Sequence, residues 1–153
     1  MTDTLPKTDP GQIADPDVFA QAMRASRLPM IIADARAPDS PIVFANDAFL
    51  DLTGYSREEV IGRDCRFLQG PATDPLAVQR LHEALEGQHD TVIELLNYRN
   101  DGATFWNTIY LSPVRSGDGR VAYFFGAQVD VTEKKHAELS LMQSHLDLES
   151  AVA

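Results

Sequence analysis

The sequence predicts an α+β fold: a five-stranded antiparallel sheet with short helices over one face and an amphipathic helix at each end. Three observations predict it. Five β-branched or alternating runs are separated by turn residues, capped helix signals cluster between the second and third runs, and residues 133–152 contain neither Gly nor Pro.

At 153 residues the chain has room for one domain with a sizeable core and terminal extensions. Thirteen Lys and Arg stand against 23 Asp and Glu, a formal charge of −10. Such a chain is repelled by phosphate backbones and anionic lipid, so neither nucleic acid nor membrane is an expected partner. No apolar run approaches the roughly 18 to 20 residues of a membrane span, and the first residues lack the charged and apolar segments of a signal peptide. A cytoplasmic location is expected, where the single cysteine, Cys65, stays reduced. Four scattered histidines (His82, His89, His136, His145) and one cysteine show no zinc-ligand spacing, and no metal is expected.

Residues 1–14, rich in Thr, Asp, Pro and Gly, are expected to be flexible. Residues 15–27 form an N-terminal cap helix: Asp15 and Pro16 supply the cap and first position, and Val18, Phe19, Ala22, Met23 and Ser26 lie down one side. Residues 29–34 and 41–45 read as a hairpin around the turn-rich 35–40. Residues 46–52 resemble a short helix ended by Gly54. Ser56 and Glu59 make a capping box for another, which stops at Gly62. Asp74 and Pro75 start a third helix, closed by Gly87, with Val78, Leu81 and Leu85 as its inner stripe. Three strands follow at 91–99, 103–114 and 120–129, joined by Asn100-Asp101-Gly102 and by residues 116–119, which supply the left-handed positions of tight hairpins.

Alternation along these strands puts Ile93, Leu95 and Asn97 on one face, with Phe105, Asn107, Ile109 and Leu111, and with Ala122, Phe124, Gly126 and Gln128. Each of three consecutive strands thus sets one amide among apolar residues. A buried unpaired amide costs about 1 to 3 kcal/mol, so these three satisfy one another, hold water, or bind a ligand. Amides both donate and accept, which suits the mixed edge of a planar heterocycle, and Gly126 leaves room for a ring against the sheet.

The opposite face carries Val92, Leu96, Tyr98, Trp106, Tyr110, Val121, Tyr123, Phe125 and Val129 and is too apolar to meet water alone. It is expected to be covered by a terminal helix or by a second subunit, and a homodimer is the expected assembly. Leu139, Met142 and Leu146 recur at helical spacing through barely two heptads of the last segment. That fits coiled-coil pairing and packing on the sheet equally.

The residues 62–70, Gly-Arg-Asp-Cys-Arg-Phe-Leu-Gln-Gly, hold the only thiol. Arg66 favours the thiolate and Asp64 opposes it, and on chemistry alone a lone buried cysteine is more often a small hydrophobe. The words of the motif carry more. Cys-Arg-Phe-Leu-Gln resembles the signature of LOV domains, the flavin-binding blue-light sensors of the PAS superfamily, and five fixed residues at about 5% each recur by chance on the order of 10⁻⁷ per position. The likeness runs from about Pro29 to Thr132 and implies a PAS fold with a sensor core over 28–131 and a C-terminal signalling helix over 132–153.

By that resemblance the cofactor is FMN. Cys65 would add reversibly to the flavin ring after blue-light excitation. Asn97 and Asn107 would hold the pyrimidine edge, Gln128 would sense protonation of the neighbouring ring nitrogen, Gln69 would touch the ring's polar edge and Arg66 would bind the phosphate. Ile31, Leu68, Leu81, Ile109, Leu111 and Phe124 match pocket-wall positions. Asp130-Val131-Thr132 resembles the junction that leads out of PAS domains into a signalling helix. Two departures stand out. Asp64 replaces the usual Asn, setting a negative charge beside the thiol and altering the lifetime of the light state. His82, with Arg80 two residues earlier, occupies the place of a second phosphate-binding Arg.

The reading is of a sensor, not an enzyme, signalling through its last strand and helix to an output domain or partner, either as a short LOV receptor or as the sensor fragment of a larger receptor such as a histidine kinase. A flavin redox sensor that needs no light uses the same pocket. A thiol enzyme pairing Cys65 with His82 or His89 lacks an orienting Asp or Asn and an oxyanion motif.

Overall fold

The computed structural model describes residues 16–152, without the side chains of Pro16, Phe19 and Val152. The expected flexible segment 1–14, the Asp15 cap and the Phe19 side chain of the cap-helix stripe lie outside the described residues. The elements run α1 Pro16–Ala25, β1 Met30–Asp34, β2 Ile42–Ala45, α2 Asp47–Thr53, α3 Arg57–Val60, a 3-10 turn Cys65–Leu68, α4 Pro75–Gly87, β3 Thr91–Tyr98, β4 Thr104–Arg115, β5 Val121–Asp130 and α5 Thr132–Val152.

The strands form one antiparallel sheet in the order β2-β1-β5-β4-β3. The last strand is therefore central, flanked by the first. Local chemistry sets the helix ends: the Asn46 side chain accepts from Phe49 N and Gly54 closes α2 at φ 77°, while Ser56 accepts from Glu59 N in the expected capping box. Asn46, fully buried, also takes Met30 N and donates to the Met23 and Leu28 carbonyls, which ties the end of α1 to the start of the sheet.

The core fills the face under the short helices. Phe49, Phe105, Ile42, Leu95 and Val60 are fully buried, each contributing about 1.5–3 kcal/mol relative to exposure. Ile93, Leu95, Phe105, Leu111, Ala122 and Phe124 all face this core, as alternation required.

Three expectations are corrected. Val121 does not lie on the outer face: the register shifts between Val114 and Arg115, so Arg115 pairs with Val121 while Val114 pairs with Tyr123, and both Val121 and Ala122 turn inward. Gly87 is the last residue of α4, and Gln88 takes the left-handed closing position at φ 52°. Val18, placed on the buried side of α1, is exposed, whereas Met23 is buried.

Of the outer face, Val92, Tyr110 and Val114 are exposed. The terminal helix does not cover them. Leu139, Leu141, Met142, Leu146 and Leu148 of α5 are themselves exposed, so beyond its first turns α5 does not pack on its own sheet.

Candidate functional site

A cleft runs between the inner sheet face and the helices. Its outer part encloses about 540 Å³, lined among others by Ile31, Asp64, Cys65, Arg66, Gln69, Leu81, His82, Leu111, Phe124 and Gly126. A narrower inner part of about 40 Å³ continues between Leu68, Leu95 and Ile109 to Asn97 and Gln128. Ile31, Cys65, Gln69, Leu81, Leu111 and Gly126 line both parts, so they form one space.

The deep end is polar because the register makes the three amides diagonal neighbours. Asn107 pairs with Leu95, two residues from Asn97, and Gln128 pairs with Ile109, two residues from Asn107. Asn107 Nδ2 donates to Asn97 Oδ1 at 2.9 Å and to Gln128 Oε1 at 3.1 Å. Asn97 Nδ2 donates to the Leu68 carbonyl at 3.3 Å, joining the network to the Cys65–Leu68 turn. Asn107 is fully buried, yet its Oδ1 has no partner, the condition that carries a cost of about 1–3 kcal/mol.

Cys65 opens the 3-10 turn, and Asp64 caps it by accepting from Arg66 N at 2.8 Å. Cys65 is half-buried as a residue and lines both parts of the cleft. Desolvation, and then the Asp64 charge, push its thiol up to about 12, so it holds its proton at neutral pH. The following loop is clamped to β3: Thr73 Oγ1 accepts from Gly70 N and donates to the Leu96 carbonyl at 2.7 Å, and Tyr98 Oη accepts from Ala72 N at 2.9 Å. This holds Gln69, which lines both parts of the cleft.

At the mouth Arg66 Nη2 lies 2.9 Å from Asp64 Oδ2 and 3.5 Å from Asp39 Oδ1. His82 Nε2 lies 3.0 Å from Glu86 Oε1. Arg80 is exposed and does not line the cleft, because it lies on the opposite flank of α4 from Pro75, Val78, His82 and Glu86, which do. Gln79, Asp39 and Glu86 do line it and were missed by sequence reasoning. For Gln79 the signal was its place three residues before His82 on the same helix face.

Past Gln128 the chain reaches a built junction. Asp130 Oδ2 meets Arg99 at 3.1 Å, Asp130 Oδ1 accepts from Thr132 N, and Trp106 N donates to Thr132 Oγ1. Lys135 pairs with Glu94 at 2.6 Å and sits over the Trp106 ring. The first turn of α5 is thereby fixed to β3 and β4.

The PAS domain family matches residues 28–133. The chain is 49% identical over 129 residues to a blue-light-activated histidine kinase of Rhizobium johnstonii, covering 84% of this chain and 37% of that protein. The chain spans about a third of the length of the curated relatives it matches. Among solved structures, an RNA-binding light-oxygen-voltage receptor superposes with a TM-score of 0.83 at 38% identity over 97% of this chain and 42% of that one. A light-oxygen-voltage domain studied with a flavin analogue superposes at 0.73 with 43% identity, covering 85% of this chain and 96% of that one. With the five-stranded sheet, the amide-floored cleft and Cys65 at its wall, these likenesses make the chain a member of the PAS family and, within it, a LOV domain of the blue-light photoreceptor type.

Proposed function

We propose that the chain binds FMN in the cleft and senses blue light through Cys65, passing the signal along β5 to α5. The observation that carries this is the buried amide network whose Asn107 Oδ1 is unpartnered: it calls for a donor from a ligand at the deep end. The donor set fits a flavin. Asn97 and Asn107 offer both donors and acceptors to a heterocycle edge, Gly126 lets a ring approach the sheet, and Arg66 stands at the mouth for a phosphate.

A flavin held there would supply blue-light absorption and an electrophilic ring carbon with a proton-accepting nitrogen beside it, and Cys65 would contribute both the sulfur and the proton. Cys65 keeps that proton in the dark because burial and Asp64 hold the thiol neutral. Were that nitrogen protonated, Gln128 would turn its amide to present its oxygen there in place of its nitrogen and give up the bond it now accepts from Asn107. Asp130 lies two residues on, and the Arg99, Trp106 and Lys135 contacts make α5 the element that this turn biases. Ile31, Leu68, Leu81, Ile109, Leu111 and Phe124 serve as walls, Gln69 as a further polar contact and His82 as a neighbour of the phosphate. Arg80, which faces away from the cleft, has no part in it.

The chain acts as the sensor segment, 28–131 with its helix 132–153, of a cytoplasmic signalling protein whose output belongs to a further domain, as in the histidine kinase relatives. The exposed apolar residues of α5 and of the outer sheet face support a homodimer. No helix among the described residues is long and apolar enough to cross a membrane. RNA binding is said of one relative, of which the chain matches 42%, and the charge of −10 argues against it here. The test is the Cys65→Ala variant: flavin should remain bound and the reversible bleaching should vanish, whereas a persisting bleached species refutes the role of Cys65.

A further inference from the structure

The mouth of the cleft is acidic. Arg66 is the one Lys or Arg among the described residues lining it, against Asp39, Asp64 and Glu86. Its Nη2 already serves Asp64 at 2.9 Å and Asp39 at 3.5 Å, while His82 is engaged with Glu86 at 3.0 Å. A phosphate brought to this rim carries a charge approaching −2 and meets two carboxylates that hold the guanidinium first. The deep end is untouched by that competition, since Asn97, Asn107 and Gln128 read the ring and not the tail.

We propose that the tail phosphate is a weak recognition element in this chain, that Asp64 is the residue responsible, and that the site takes phosphate-free riboflavin nearly as well as FMN. The inference rests on the flavin reading and deepens it. An Asn at position 64 keeps an oxygen to cap the 3-10 turn, where Asp64 Oδ1 accepts from Arg66 N, but removes the charge that occupies the guanidinium. Asp39, on the loop between β1 and β2, plays the lesser part from its longer distance.

The experiment titrates flavin-free protein with FMN and with riboflavin and reads the quenching of flavin fluorescence. The expected result is dissociation constants within tenfold of each other in the natural chain, and a preference shifted toward FMN by about tenfold in Asp39→Asn/Asp64→Asn. A natural preference for FMN of tenfold or more, or a ratio that the double substitution leaves unmoved, overturns the proposal. If stripping the flavin unfolds the chain, the purified flavoprotein is incubated with an equimolar excess of both flavins: retention of a mixture supports the proposal and retention of FMN alone overturns it. Binding of neither flavin overturns the flavin reading itself, an outcome distinct from binding FMN alone.

Discussion

Asn107 Nδ2 donates to Gln128 Oε1 at 3.1 Å, so the central strand β5 is read by its neighbour β4 at the floor of the cleft. Turning the Gln128 amide sets its Nε2 against Asn107 Nδ2, two donors, so this bond is given up unless Asn107 turns with it, which couples the two amides. Replacing Gln128 with Leu removes that turn while leaving Asn97 and Asn107 in place. Flavin binding and bleaching are expected to persist, and the light-dark difference in hydrogen exchange over residues 131–140 to disappear. An undiminished difference there contradicts a switch at Gln128.

The Cys65 thiol, pushed from 9.0 up to about 12 by burial and by Asp64, is protonated throughout the neutral range. The amplitude of the light reaction is therefore expected to be flat with pH from about 6 to about 9. The folding consequence has a definite sign: the raised group leaves stability intact below the ordinary value of 9.0 and removes it as pH climbs toward about 12, since the unfolded thiol ionises first. Denaturant midpoints of the natural chain should fall faster than those of Cys65→Ala above pH 9.0; parallel curves contradict a buried neutral thiol.

Asp64 is ionised at neutral pH, its carboxyl held below the ordinary 3.8 chiefly by the Arg66 side chain. Its charge raises the neighbouring thiol. Asp64→Asn is expected to change the rate of dark recovery severalfold while sparing adduct formation. Identical recovery traces in the two proteins contradict a role for the charge.

Gly70 sits against Tyr98, and a Cβ at that position would be driven into the Tyr98 ring. Gly70→Ala is expected to cost about 1–3 kcal/mol by overpacking. Because the same loop holds Gln69, flavin affinity should fall with stability. A variant with an unchanged denaturant midpoint contradicts the tight clamp.

Much of this was legible in the residues. Alternation alone placed Asn97, Asn107 and Gln128 on one face, since a strand leaves its side chains no other choice. Gly54 and Ser56 announced their caps for equally local reasons. Val121 was misplaced because a bulge breaks the period of two, and nothing in Arg115 to Val121 marks where it falls. The pairing of Arg66 with Asp39 joins residues 27 positions apart across a loop, a contact that no local pattern encodes. Arg80 was drawn in by its neighbourhood, whereas α4 sets it on the flank away from the cleft and leaves the exposed Gln79 at the rim beside His82 and Glu86.

The central claim, a light-switched flavin on Cys65, is tested most directly by the absorption spectrum of the purified chain in darkness, after a blue pulse, and again on standing. A structured flavin band that bleaches and then returns is the predicted result. A flavin band that does not respond to light contradicts the claim and leaves the redox-sensing alternative, and a protein that takes up no flavin even when FMN is added contradicts the cleft's assignment altogether.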